Sequence, residues 1–318
     1  MRSRFSHHYE RPDDDAVDRA LVNATVVLDT NALLGLYRAS RELRTKRLEV
    51  LRTIGPRLFL PYQVGLEFHR NRPAAAAGIG TAYDALRKAT SDLEQAVKNF
   101  GGDGNYDEST NAVKDLVDPL LTKIVDGLKD LERNDSHRID LSKDEILAEL
   151  ETLFSDDQVG EPPSTETLAA RVRDFVEVRV PHGLPPGFGD TRKETNAAGD
   201  YLIWCEVLAY ARENKTDVVL ITDDTKSDWW HRNPGLPEVP HPLLVTEFRR
   251  ETGQEYYQLD SRQLLKRASA LNVSVTKQDL EEEAELAQRA RLENVVERFA
   301  AFTGSGRLSA AASVNPQV

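Results

Sequence analysis

Residues 25–38 read TVVLDTNALLGLYR and residues 218–224 read VVLITDD. Each opens with a continuous β-branched and aliphatic run, and acids follow the run: Asp29 in the first, Asp223 and Asp224 after Thr222 in the second. Continuous rather than alternating apolar runs predict strands buried on both faces, as in a parallel sheet covered by helices. Weaker strand signals are Arg57–Leu60, closed by Pro61, Leu243–Val245 after Pro242, and Tyr256–Leu259. Helical patterns lie between them: Ala32–Ile54, Gln63–Asn71, and Ala198–Glu213, where Ile203, Trp204, Val207, Leu208 and Ala211 recur at helical spacing. Strand–helix alternation predicts an α/β doubly wound sheet.

Residues 80–180 read differently. Helical stretches at Thr81–Phe100, Glu108–Leu131, Ser142–Phe154 and Thr165–Val180 are separated by polar, Gly- and Pro-bearing breaks with hardly a strand signal. An α-helical insertion is expected here. Further on, Lys277–Phe302 places Leu292, Val295, Val296 and Phe299 on one face of an amphipathic helix, followed by a Ser/Ala-rich tail.

The 318 residues are 40% hydrophobic and 30% charged, which supports a buried core and excludes a wholly disordered chain. One cysteine, Cys205, cannot close an internal disulfide, and seven scattered histidines form no zinc-binding spacing, so a reducing cytoplasmic location is expected. The start, MRSRFSHHYERPDDD, has basic residues followed by acids rather than by an apolar signal region, and the longest nearly apolar stretch, YLIWCEVLAYA, carries Glu206 and falls short of the roughly 20 residues of a membrane span. No membrane association is expected.

A net charge of −12 argues against a general nucleic-acid binder, but the charge is uneven. Residues 81–180 hold 23 acids and 12 bases, nearly all of the excess. Residues 38–72 hold nine bases (Arg38, Arg41, Arg44, Lys46, Arg47, Arg52, Arg57, Arg70, Arg72) against three acids. The expectation is that the acidic arm repels stray nucleic acid and steers strands toward the basic zone.

In an open α/β sheet, ligands bind outside the carboxyl ends of the strands, where Asp29, Glu67, Asp200 and Asp223 can converge from four separated segments. Each also has a plainer role open to it: Asp29 and Asp200 as helix caps, Asp223 in an Asx-turn, Glu67 on a solvated helix face. Two carboxylates about 5 Å apart repel by roughly 3 kcal/mol at an effective dielectric near 20, so a converged cluster calls for a counter-ion. Hard oxygen ligands suit Mg²⁺ or Mn²⁺, and such a site favours phosphodiester chemistry with water as nucleophile.

The blocks VVLDTNALLGLYR, LPYQVGLEFHRNR, PPGFGD, GDYLIWCEVL and VVLITDDTKSDWW resemble, in order and phrasing, a bacterial branch of the PIN-like nucleases that carries a helical insertion. The resemblance implies a PIN-like, Rossmann-like α/β/α sandwich with a central parallel sheet. It divides the chain into 1–78 (first part of the domain), 79–184 (helical insertion), 185–270 (second part) and 271–318 (C-terminal amphipathic helix and tail). It also implies Asp29, Glu67, Asp200 and Asp223 as metal-binding catalytic acids, with Asp190, Asp224 and Asp228 as further acids in the matching blocks. Thr30, Asn31 and Thr222 are implied as supporting residues. The implied activity is Mg²⁺- or Mn²⁺-dependent cleavage of RNA, or of single-stranded DNA, leaving 5′-phosphate and 3′-hydroxyl ends. A toxin-like or antiphage-defence role beside a protein partner such as an ATPase belongs to the same resemblance.

Arg70 and Arg72 near Glu67, Arg192 and Lys193 between Asp190 and Asp200, and Lys226 can hold phosphates or form surface ion pairs. Trp229 and Trp230 can pack or stack on unpaired bases. The alternative function is a catalytically idle scaffold that binds a protein through the insertion and the C-terminal helix. A haloacid-dehalogenase phosphatase would need a second Asp two positions after the first, and position 31 is Asn.

Overall fold

A computed structural model describes residues 1, 5, 8, 13–99, 108–134, 141–190, 195–232 and 238–289. The elements run α1 (Asp14–Asn23), β1 (Thr25–Leu28), α2 (Thr30–Arg38), α3 (Arg41–Ile54), β2 (Leu58–Phe59), α4 (Tyr62–Asn99), α5 (Glu108–Asn134), α6 (Glu145–Leu153), α7 (Thr165–Asp174), α8 (Gly199–Asn214), β3 (Val218–Ile221), β4 (Trp230–His231), β5 (Val239–Pro240), α9 (Pro242–Thr252), β6 (Tyr256–Leu259) and α10 (Ser261–Lys266), and close with a helix at 277–289, α11. The main sheet is parallel, in the order β2-β1-β3-β6, with Leu28 opposite Ile221 and Ile221 opposite Leu259. Every residue of β1 and β3 is buried, as the unbroken apolar runs predict for strands flanked by helices.

Three expectations need correction. The segment Leu243–Val245 is not a strand but the first turn of α9. Pro242 occupies the first helical position, where its missing N–H costs nothing, and His241 accepts from the Leu243 N–H. Strand propensity spans only about 1 kcal/mol, whereas fully burying a Leu or Phe contributes about 1.5–3 kcal/mol, and the helix buries Leu244 and Phe248 four residues apart. Next, Ala32–Ile54 is two helices, because Ser40 breaks the run and caps α3 through the Leu43 N–H. Finally, α4 does not stop at Asn71; it continues through Pro73 to Asn99, carrying the chain from the sheet layer into the insertion. A small antiparallel ribbon, β4 with β5, has no counterpart in the sequence reading.

Within the 79–184 insertion, α4 and α5 pack as a hairpin that buries Val97 and Leu121 and leaves Leu86, Leu93, Leu116, Leu120, Ile124 and Leu131 exposed. The chain then returns to the body: Ile146, Leu150 and Leu153 of α6 join the main core, and Gly160 donates to the Leu60 carbonyl at the sheet edge. Helix α11 is fixed to α3: Glu282 accepts from the Ser40 N–H and Oγ, and Glu283 takes a bidentate, buried contact from Arg47 at 2.6 and 2.8 Å. Leu292, Val295, Val296 and Phe299 lie outside the described residues. Among the described residues, no helix is long and apolar enough to cross a membrane.

Candidate active site

The parallel register of β1 and β3 sets Asp29 beside Thr222 at the carboxyl edge of the sheet. The Asp29 N–H donates to the Ile221 carbonyl (2.8 Å), its Oδ1 accepts from the Thr30 N–H (2.7 Å), and its Oδ2 accepts from Thr222 Oγ1 (2.9 Å). Asp29 therefore caps α2 and also faces the site, so the structural and functional readings of this residue are both satisfied. Its side chain is almost wholly buried, and burial first, then Asp224 and Glu67, pushes its carboxyl up to about 7, against the pull of the Thr222 hydroxyl and the Thr30 N–H.

Glu67 sits on α4, one turn and a half from its start. Its Oε2 accepts from Thr30 Oγ1 (3.0 Å), and its Oε1 accepts from Gln63 Nε2 (2.7 Å) and Asn196 Nδ2 (2.8 Å). Gln63 Nε2 also donates to Asn196 Oδ1 at 3.1 Å, closing a triangle that locks the carboxylate. Gly199 is required here: a Cβ on it would stand 2.6 Å from Glu67 Oε1 and 2.5 Å from Asn196 Nδ2. At the start of α4, half-buried Glu206 accepts from the Gln63 N–H (3.2 Å), and desolvation raises its carboxyl to about 7. The sequence reading gives no site role to Gln63, Asn196, Gly199 or Glu206.

Asp200, in the first turn of α8, accepts from Lys226 Nζ at 3.1 Å. The same ammonium lies 2.8 Å from Asp224 Oδ2, and the Lys226 N–H donates to Asp224 Oδ1 at 2.8 Å. Lys226 thus bridges two acids. Asp224 is buried, and its N–H donates to Thr222 Oγ1. Asp228 is fully buried; its Oδ2 accepts from the Gly187 and Gly189 N–H groups, while its Oδ1 has no hydrogen-bond partner. Burial raises its carboxyl, against Lys226, which lowers it.

The structure does not bring Asp223 into this group. Its carboxylate accepts from the Ser261 N–H (2.9 Å) and Oγ (2.7 Å) at the first residue of α10, beside the helix's own cap, Asp260. Asp224 and Glu67 both act on Asp29, Asp224 acts on Asp228 as well, and Asp200 is joined through Lys226. Of the supporting residues, Thr30 and Thr222 hold the acids, and Asn31 is exposed on α2. Arg192 and Lys193 lie outside the described residues, as does the Asp190 side chain.

Most bases of the basic zone have partners within the chain. Arg72 pairs with buried Asp144, which also accepts from the Tyr37 hydroxyl. Arg52 pairs with Glu149, Arg41 with Glu145, Lys46 with Glu49, and Arg47 with Glu283. Arg44 donates to the Leu36 and Ala39 carbonyls, and Arg57 to those of Leu21 and Ala24. Three acids of the acidic segment thus meet bases of α3 and α4: Asp144, the cap of α6, and Glu145 and Glu149 within it. Arg72 is engaged with Asp144, whereas Arg38 and Arg70 are exposed. Trp229 and Trp230 are buried, Trp229 edge-on to Trp204, so neither offers a face to a base.

A parallel sheet between helix layers, with acids gathered past the ends of its two central strands, defines an α/β protein with an acidic site at the carboxyl edge of its sheet. The chain belongs to the PIN-like domain family, whose model matches residues 25–244. No curated protein and no solved structure matches the chain.

Among the described residues, no three His, Cys, Asp or Glu side chains already stand close enough to enclose an ion. The donor chemistry nevertheless fits a hard divalent cation: the set is all carboxylate oxygen, Asp29 is crowded by two other acids, and Asp228 Oδ1 is buried without a partner.

Proposed function

We propose that this chain is a metal-dependent nuclease that hydrolyses phosphodiester bonds of RNA, or of single-stranded DNA, with water as the nucleophile. The observation that carries the reading is the environment of Asp29: a buried carboxylate at the carboxyl edge of the sheet, raised to about 7 by burial and two acidic neighbours, in a family of nuclease-type fold. Asp29, Asp224, Glu67 and Asp200 would hold Mg²⁺ or Mn²⁺. Such an ion supplies polarisation of the phosphate and hydroxide from bound water.

The chain's own residues do the positioning. Thr222 and the start of α2 fix Asp29, while Gln63, Asn196 and Thr30 leave Glu67 one orientation. Exposed Arg70, one turn beyond Glu67 on α4, is the basic side chain best placed along the chain to meet a phosphate. A cytoplasmic site of action rests on the single cysteine of the chain, and a toxin-like or antiphage-defence role rests on the family resemblance alone.

Purified wild type and Asp29→Asn are incubated with labelled RNA and single-stranded DNA, with Mn²⁺ or with EDTA. Cleavage that needs Mn²⁺ and disappears in Asp29→Asn is the expected result. Equal cleavage by both proteins, or none by either with RNA and DNA alike, contradicts the reading.

A further inference from the structure

Lys226 lies two residues past Asp224, in the loop that leads from β3 to the ribbon. Its backbone is anchored: its N–H donates to Asp224 Oδ1, and its carbonyl accepts from the Trp229 and Trp230 N–H groups at 3.3 and 3.1 Å. Its side chain reaches back, so that one ammonium contacts Asp200 Oδ2 at 3.1 Å and Asp224 Oδ2 at 2.8 Å. These oxygens come from two elements that meet only in the fold, and the lysine side chain is 28% exposed against 16% and 7% for the two acids. The cation sits at the mouth of the acidic group, on a flexible stem with a fixed root.

We propose that Lys226 is the built-in counter-ion of the metal-free site, that it holds the metal's place between Asp200 and Asp224, and that a divalent ion binds only as this ammonium leaves. The inference rests on the metal-site reading of Asp29, Glu67, Asp200 and Asp224. A divalent ion sits about 2.0–2.2 Å from carboxylate oxygens, whereas the ammonium now holds two of the same oxygens at hydrogen-bond distance. Both cations cannot occupy that space, because their like charges would stand only a few ångströms apart. One positive charge also balances only part of a group of four acids, so a dication has the stronger claim once it is present.

Two consequences follow. In the absence of metal, Lys226 keeps Asp200 and Asp224 from splaying apart. In its presence, the displaced ammonium stays tethered beside the site, within reach of a phosphate approaching the ion. The cost of displacement appears as a weakened apparent metal affinity, because only the fraction of molecules with Lys226 swung away can bind.

The test is titration calorimetry with Mn²⁺ alone on full-length wild type, Lys226→Gln and Lys226→Arg, together with melting curves in EDTA. Lys226→Gln is expected to bind Mn²⁺ at least about threefold more tightly than wild type while melting at a lower temperature in EDTA. Lys226→Arg, which keeps the charge, is expected to restore the wild-type melting temperature and affinity. Binding by Lys226→Gln that equals or falls below that of wild type overturns the displacement and leaves the metal site standing. Absence of Mn²⁺ binding in all three proteins overturns both.

Discussion

Thr222 Oγ1 donates to Asp29 Oδ2 at 2.9 Å, a bond between residues 193 positions apart that ties the ends of the two central strands together. The same hydroxyl accepts from the Asp224 N–H at 3.1 Å, so one side chain sets the spacing of two acids. Thr222→Val keeps the shape and removes both contacts, leaving Asp29 buried with one donor fewer. The expected loss is about 1–3 kcal/mol of stability by urea denaturation, with nuclease activity reduced at neutral pH. Unchanged stability would show that the hydroxyl is dispensable.

Asp29 makes stability depend on pH in a fixed direction. Its folded carboxyl titrates at about 7, against an ordinary value of 3.8. Between those values the unfolded chain releases the proton while the folded chain keeps it. The group's contribution is therefore complete below about pH 4 and is lost as pH rises through 7. In EDTA, Asp29→Asn should be more stable than wild type at about pH 8, by up to about 4 kcal/mol, and the gap should close on acidification toward pH 4. Denaturant midpoints across that range decide it; a gap independent of pH contradicts the assignment.

Asp223 and Asp224 are adjacent in sequence and should behave oppositely. Asp224→Asn removes a carboxylate next to Asp29, so both the Mn²⁺-induced rise in melting temperature and the cleavage should disappear. Asp223→Asn weakens the contacts to Ser261 at the start of α10 and leaves its cap, Asp260, in place, with an expected cost of about 1 kcal/mol, and should retain both. Thermal melting with and without Mn²⁺ separates them.

Arg72 should matter for folding rather than for substrate. Removing it leaves Asp144, whose side chain is 4% exposed, without its cation. Breaking a buried pair costs about 3–5 kcal/mol; with Arg72 itself 19% exposed, Arg72→Ala should fall near the lower end. Affinity for labelled RNA under native conditions should stay within about twofold, the scale of a non-contacting residue. A large fall in RNA affinity at full folding would return Arg72 to the substrate.

Gly199→Ala tests the locking of Glu67. The added Cβ would stand 2.6 Å from Glu67 Oε1, so the carboxylate or Asn196 must move. Activity is expected to fall about tenfold or more, since displacement of a catalytic group by about 1 Å is costly, with far-UV circular dichroism unchanged. Wild-type activity in this variant would mean that the orientation of Glu67 is unimportant.

Much of this architecture is legible in the chain, because a parallel strand buried on both faces leaves an unbroken apolar run, and Asp29 follows such a run directly. The triangle of Gln63, Glu67 and Asn196 left no such trace, since Asn196 is 129 residues from Glu67 and no local period links them. Nor does a count of charges reveal who pairs with whom. Arg41, Arg52 and Arg72 read as a basic surface until α6 folds back onto them with Glu145, Glu149 and Asp144.

The central claim is that acids from β1, α4, α8 and the loop after β3 gather around one divalent site. Anomalous scattering at the manganese edge, from crystals of the full chain soaked in Mn²⁺, tests it most directly. A peak is expected within about 2.0–2.2 Å of carboxylate oxygens of Asp29 and Asp224, with Lys226 turned away from Asp200. Manganese bound at Asp223 instead, or no peak beside Asp29 at saturating Mn²⁺, would contradict it.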